Sequence, residues 1–249
     1  MTAQKPMARI SLGPLNLDIC DTSAILEKTG EFIRLRIPSQ IVTLNALMFN
    51  TALRDKACLN AISNASLVVP DSTGIAWAVR FLTGFKTERL AGIDLLNELC
   101  GLSARAGHGI FLLGAKPGVA ATAALNLAKR YPGLKIAGTR DGYFDRSEEE
   151  DIVKLIEETS PDILFVGFEI PKQEIWISDN LARLKVPVVM GVGGSFDVVS
   201  GGLIRAPLWV RKLHLEWFFR FLQQPWRISR LFDLPAFVFE IFTLKFNEK

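Results

Sequence analysis

Residues 110–118 read Ile-Phe-Leu-Leu-Gly-Ala-Lys-Pro-Gly, an apolar run that leads into a glycine loop, and a helix-compatible segment follows at 119–130. A strand, a tight loop and a helix in that order form the repeating unit of a parallel α/β sheet. The alternation recurs, with further apolar runs at 41–44, 67–69, 163–166 and 186–190 and helix-compatible segments at 45–60, 74–83, 92–106 and 148–159. The pattern predicts an α/β fold, with a Rossmann-like core in which helices flank a mainly parallel sheet.

Two glycine-rich loops follow predicted strands and suit the close approach of a phosphate or a nucleotide. The first contains Gly114 and is not a Walker A sequence, because the glycine spacing and the terminal Lys-Ser/Thr pair do not match. The second runs from Gly191 to Asp197 and matches only part of a dinucleotide fingerprint. We assign Gly114, Gly193, Gly194 and Asp197 to a candidate substrate-binding set.

The charge of the chain is concentrated at its C-terminal end. The 249 residues carry a net charge of +3, too small to indicate a nucleic-acid partner. From Arg205 onward there are eight basic and four acidic residues, together with 11 of the 24 aromatic residues. Cationic and aromatic side chains together are typical of a membrane interface. We therefore predict two parts, an α/β core over residues 1–202 and a membrane-associating C-terminal appendage over residues 203–249.

The appendage has the pattern of amphipathic helices. Aromatic and apolar residues recur every fourth position at Trp209, Leu213, Trp217 and Phe221. Pro225 and Pro235 are expected to break this pattern into three short helices.

Cysteine usage and hydropathy favour a cytoplasmic protein that lies peripherally on the inner face of the cell membrane. The three cysteines have neither metal-ligand spacing nor the even count of a disulfide framework. No apolar run approaches the roughly 20 residues that cross a bilayer. The N-terminus has no secretory signal pattern.

Polar side chains end two of the predicted strands. Thr43 and Asn45 lie on one face of a strand end, where a hydroxyl and an amide can bind a sugar or phosphate. For Asn45, a helix N-cap is an equally good interpretation. Asp71 follows the next strand and could accept a proton from an attacking hydroxyl, although by residue type alone it is more often an N-cap.

Other candidates could contact a charged substrate. Arg89 could stabilise a leaving diphosphate, or form an ordinary surface pair with Asp94. Gln173 could hold a nucleotide base or ribose, and Asp94 is assigned with it to the candidate substrate-binding residues. The sequence has no Asp-x-Asp pair, and His108 and His214 have no metal-ligand spacing, so we expect no metal.

In order along the chain, these stretches resemble the WecG/TagA/CpsF glycosyltransferase family. The resemblance covers roughly residues 41–230, and its motifs are Thr43-x-Asn45, Pro70-Asp71-x-x-Gly74, Arg89-x-x-Gly92-x-Asp94-Leu95, Pro171-Lys172-Gln173-Glu174, Val192-Gly193-Gly194-x-Phe196-Asp197, Arg205-Ala206-Pro207 and Leu215-Glu216-Trp217. One departure is Asp71-Ser72 in place of the usual Asp-Gly, so the backbone there must adopt a conformation that serine tolerates.

The resemblance implies a metal-independent, inverting transfer of a hexose or N-acetylhexosamine from a UDP-sugar donor to a polyprenyl-diphosphate-linked sugar acceptor. Glucose, N-acetylmannosamine and its uronic acid form are the candidate sugars. It also implies a homo-oligomer, Asp71 as general base supported by Thr43 and Asn45, and donor contacts from Arg89 and Gln173. The cations that engage the diphosphate would be Arg220, Arg227 and Arg230.

Two other functions are weighed against this one. An NAD-dependent oxidoreductase would require a complete glycine fingerprint and an acid after the second strand, which the sequence does not contain. A non-catalytic nucleotide-binding or membrane-scaffold protein would bind UDP without consuming a UDP-sugar.

Overall fold

The computed structural model describes residues 7–213, 215–225 and 233–247. Its centre is a six-stranded sheet in the order β4-β3-β8-β7-β5-β6, in which every neighbouring pair is parallel. The strands are β3 (Ser39–Leu44), β4 (Leu67–Pro70), β5 (Gly109–Gly114), β6 (Lys135–Arg140), β7 (Ile163–Gly167) and β8 (Val188–Gly191). The predicted α/β fold with a parallel sheet is confirmed.

Helices cover the sheet. They are α1 (Thr22–Leu35), α2 (Ala46–Arg54), α3 (Lys56–Ser63), α4 (Thr73–Thr83), α5 (Gly92–Ala106), α6 (Val119–Arg130), α7 (Glu149–Thr159), α8 (Lys172–Leu184), α9 (Ser195–Val199), α10 (Leu208–Lys212), α11 (Glu216–Gln223) and α12 (Asp233–Asn247). The single helix predicted over 45–60 is wrong, because the chain divides at Asp55. The Asp55 side chain accepts hydrogen bonds from the N–H groups of Ala57 and Cys58 and so starts α3.

An antiparallel hairpin, β1 (Ala8–Leu12) and β2 (Leu15–Ile19), lies beside the β4 edge of the sheet. The Asp18 carboxylate accepts a hydrogen bond from the Val68 N–H at 2.9 Å. The hairpin therefore satisfies part of an edge strand that would otherwise be open to pairing with another chain.

The last helix, α12, is packed into the protein. Phe237 and Ile241 are completely buried, and the Phe237 ring meets that of Phe49 edge-on at 5.4 Å between centroids. Pro235 was predicted to break the helical pattern, and this is wrong. It lies in the first turn of α12, where a missing N–H has no intrahelical partner to lose. The division of the chain at residue 202 stays a prediction.

The predicted aromatic stripe is interrupted. Helix α10 ends at Lys212 and α11 begins at Glu216, so Trp209 and Trp217 lie on different helices. Within the described residues, no helix is both long and apolar enough to cross a bilayer.

Candidate active site

The candidate residues gather along the carboxyl edge of the parallel sheet. Asp71 follows β4, Thr43 and Asn45 end β3, Gly193 and Gly194 follow β8, and Gly114 ends β5. Since β4, β3 and β8 are adjacent, the first three groups lie in sequence along one edge. Ligands of open α/β sheets bind at this edge.

Asp71 does not cap the helix that follows it. The N-cap of α4 is Ser72, whose hydroxyl accepts a hydrogen bond from the Ile75 N–H at 3.2 Å. The Ser72 φ of −106° is extended, so serine fits where the family usually has glycine. The Asp71 carboxylate is thus available for another role.

The half-buried Asp71 carboxyl group is held in place by its surroundings. Its Oδ1 accepts a hydrogen bond from the Gly92 N–H at 3.1 Å, and its own N–H donates to the Leu44 carbonyl at 2.8 Å. Burial raises the pKa of Asp71 to about 6, against the opposing effects of Arg89, the Gly92 N–H and Arg220. A carboxylate with this pKa can accept a proton near neutral pH more readily than an ordinary aspartate.

Thr43 and Asn45 have different local roles. Thr43 is only 6% exposed, and a Cβ built on Gly92 would lie 3.0 Å from its Oγ1. A glycine at position 92 therefore lets the Thr43 hydroxyl approach the N–H group that binds Asp71. The Asn45 side chain accepts a hydrogen bond from the Met48 N–H at 2.9 Å, which confirms the N-cap interpretation. The catalytic part predicted for both residues stays a prediction.

Arg89 holds the loop that carries Asp71. Its Nε donates to the Asp71 backbone carbonyl at 2.7 Å, and its Nη2 donates to the Glu216 carboxylate at 2.6 Å. These bonds direct the guanidinium towards the loop that carries Asp71 and towards α11, and the predicted contact with a diphosphate stays a prediction.

Asp94 takes Arg205 as its partner, so the alternative surface pair with Arg89 is wrong. The two side chains form a bidentate ion pair with N–O distances of 2.6 and 2.7 Å. Burial alone would raise the pKa of Asp94, but the hydrogen bonds from Arg205 hold that pKa below its usual value. Asp94 thereby anchors the start of the appendage to α5, and its predicted contact with a substrate stays a prediction.

Gln173 lies in the interior, with 3% of its surface exposed. Its Oε1 accepts hydrogen bonds from the N–H groups of Gly193 at 2.8 Å and Phe168 at 3.3 Å, and its Nε2 donates to Glu174 at 2.6 Å. Burial raises the pKa of Glu174 to about 7. This geometry favours a role for Gln173 in positioning the loop after β8, whereas its predicted contact with the donor stays a prediction.

Glycines allow the strand ends to come together. A Cβ on Gly114, where φ is +130°, would lie 2.4 Å from the Gly167 carbonyl oxygen. One on Gly167 would lie 2.9 Å from the Gly193 oxygen. At Gly193 itself, with φ of +49°, an added Cβ would meet nothing within 4 Å. The strand end at Gly193 thus borders open space on the side where a Cβ would lie.

Arg220, on α11 of the appendage, contacts the carboxyl edge of the sheet. Its Nη2 lies 3.3 Å from the Gly194 carbonyl oxygen, and a Cβ on Gly194 would lie 3.3 Å from the Asp197 carboxylate. The other two predicted cations, Arg227 and Arg230, lie outside the described residues.

Arg205 and Glu216 stand in the quoted motifs, but neither is among the predicted site residues. Only the fold brings Glu216 against Arg89, 127 positions away. Across the described ranges, no three His, Cys, Asp or Glu side chains gather as metal ligands, and metal independence stays a prediction.

Comparison with known proteins identifies the family. A model described as the glycosyl transferase WecG/TagA/CpsF family matches residues 10–249. An N-acetylglucosaminyldiphosphoundecaprenol N-acetyl-beta-D-mannosaminyltransferase of Bacillus subtilis (strain 168) is 34% identical over 90% of this chain and 86% of its own length. Relatives of the same name from Staphylococcus aureus strains MRSA252 and MW2 are 40% and 39% identical, each over 81% of this chain and 78% of their own length. The chain belongs to the WecG/TagA/CpsF family and is a glycosyltransferase.

Proposed function

We propose that this protein transfers N-acetylmannosamine from a UDP-sugar to an N-acetylglucosaminyl-diphosphoundecaprenol acceptor during synthesis of a bacterial surface polysaccharide. The names of relatives at 34–40% identity support this choice of sugar and acceptor over glucose or the uronic acid form. Membership of a glycosyltransferase family argues against an oxidoreductase and against a non-catalytic scaffold.

The observation that carries the mechanism is the environment of Asp71. In this proposal Asp71 removes the proton from the acceptor hydroxyl as its oxygen attacks the anomeric carbon. The bond from that carbon to the UDP oxygen breaks, and its electron pair leaves with UDP. Attack on an α-linked donor from the opposite face gives a β-glycoside.

The charge that develops on UDP must be stabilised at the carboxyl edge. Arg220 reaches this edge, with its Nη2 3.3 Å from the Gly194 carbonyl oxygen. Arg227 and Arg230 are proposed to join it. Preorganised cations can stabilise a leaving diphosphate without a metal ion.

The orientation of α11 supports contact with an anionic membrane. Its polar residues Glu216, Arg220 and Gln223 face the protein, whereas Trp217 and Leu222 are 47% and 61% exposed. An amphipathic helix of a globular protein normally buries its apolar face. The reversed arrangement leaves aromatic surface for a lipid interface, the place where a polyprenyl-linked acceptor is found, and we propose the cytoplasmic face of the membrane.

The test is an incubation of the full chain with UDP-N-acetylmannosamine, UDP-glucose and the uronic acid donor, each with a short-chain lipid diphosphate N-acetylglucosamine. Mass spectrometry of the product should show addition of one N-acetylhexosamine only from the first donor. Transfer of glucose or the uronic acid instead would refute the donor. Consumption of no donor, with the acceptor unchanged, would refute the transfer itself.

A further inference from the structure

Helix α11 touches the core through a polar stripe. Glu216 and Arg220 are four residues apart and so lie on one face of the helix, and Gln223 continues that face one turn later. The Gln223 side chain accepts a hydrogen bond from the Ile204 N–H at 2.9 Å and donates one to the Ile204 carbonyl at 2.8 Å. Specific polar bonds, instead of buried apolar surface, therefore decide where α11 sits.

Glu216 is the member of this stripe that binds two cations. Its Oε2 accepts a hydrogen bond from Arg89 at 2.6 Å, and its Oε1 lies 3.6 Å from the Nε of Arg205. The side chains of Arg89, Arg205 and Glu216 are 27%, 23% and 21% exposed. Because the group is largely shielded from water, the interaction between its charges is stronger than in surface ion pairs.

Each of the two arginines also binds a second group. Arg89 donates to the Asp71 carbonyl at 2.7 Å, and Arg205 forms its bidentate pair with Asp94 on α5. We call the series Asp94, Arg205, Glu216 and Arg89 the ion-pair chain. It connects α5, the start of the appendage, α11 and the backbone of the base loop.

We propose that Glu216 is a positioning residue for the transfer reaction, which fixes the Asp71 loop through Arg89 and seats α11 so that Arg220 reaches the carboxyl edge. This inference rests on the proposed role of Asp71 as base. Without the Glu216 carboxylate, Arg89 loses its anionic partner, and the loop and helix lose their shared anchor. Misplacement of reacting groups by about 1 Å can reduce turnover by about 100-fold.

The charge of Glu216 also gives a signature that a purely structural role would not produce. Glu216 is a negative neighbour that raises the pKa of Asp71, whereas Arg89 and Arg220 lower it. Neutral glutamine at position 216 should therefore lower the pKa of Asp71 and move the acid limb of the pH–rate profile to lower pH.

The experiment compares the full chain with Glu216→Gln, Glu216→Asp and a control, Glu150→Gln. Glu150 forms a surface ion pair with Arg183 between α7 and α8. We expect Glu216→Gln to reduce kcat by about 10- to 100-fold with its acid limb at lower pH. Glu216→Asp, which keeps the charge, should keep the limb near its wild-type position, and the control should match the wild type in both respects.

A second measurement does not depend on transfer activity. The difference in unfolding free energy between each protein and its Asp71→Asn derivative, followed against pH, reports the pKa of Asp71 in that background. Glu216→Gln should shift this curve to lower pH. Wild-type turnover in Glu216→Gln, or an unmoved curve, would overturn the assignment. If the wild type transfers no sugar, the proposed function fails by itself, and the unfolding curves still decide the role of Glu216.

Discussion

The replacement Asp71→Asn is expected to stabilise the protein while it removes the proposed base. Burial raises the pKa of Asp71 to about 6 from the ordinary 3.8. At about 1.4 kcal/mol per pH unit, an ionised Asp71 destabilises the folded protein by up to about 3 kcal/mol, less whatever solvent screening removes at this half-buried site. Asparagine resembles the neutral acid in shape and carries no charge.

The sign of the pH dependence follows from the raised pKa. Above a pH of about 6 the carboxyl group is ionised in both the folded and the unfolded chain, so the full destabilisation is present. As the pH falls from about 6 towards 3.8, the folded protein binds the proton first and the destabilisation disappears. The advantage of Asp71→Asn should therefore be largest in mildly alkaline buffer and shrink in acid.

Urea unfolding of both proteins across this pH range measures the difference. In mildly alkaline buffer the variant should also melt up to about 6–12 °C higher, at about 2–4 °C per kcal/mol for a chain of this size. A variant that is less stable than the wild type there would contradict the reasoning, as would a difference that does not change with pH. The first result would mean that the Asp71 carboxylate stabilises the fold, and the second that the pKa of Asp71 is the same in the folded and the unfolded chain.

Two further substitutions test other parts of the account. Asn45→Asp keeps a good N-cap, so the unfolding free energy should change by less than about 0.5 kcal/mol. Sugar transfer should fall, because the predicted contact of the Asn45 amide is lost. Unchanged transfer would leave Asn45 with its capping role alone. Phe237→Ala should cost about 3–5 kcal/mol in urea unfolding because the ring is completely buried against Phe49, and a loss below about 1 kcal/mol would show that α12 does not pack there in solution.

The sequence predicted what depends on local pattern. Strand ends in a parallel sheet share one edge, so the sequence alone predicts that Thr43, Asn45, Asp71 and Gly114 lie along that edge. The N-cap of α4 could not be predicted, because residue type alone does not say whether Asp71 or Ser72 accepts the first helical N–H.

The ion-pair chain could not be predicted because the residues that pair are far apart in the sequence. Asp94 and Arg205 are separated by 111 positions, and nothing local indicates that they pair. The break before Glu216 was also missed, since spacing by four fits one long helix as well as two short ones. An apolar stripe is normally taken to face the protein, whereas α11 presents its charged face to the core.

The most direct test of the central claim is the pH dependence of kcat/KM for sugar transfer by the wild type and by Asp71→Asn. If Asp71 is the base, wild-type kcat/KM falls below a pH of about 6, where the carboxylate becomes protonated. The variant should lose about 100-fold or more of this activity and show no such acid limb. A variant that transfers sugar at the wild-type rate, with the limb still present, would contradict the account.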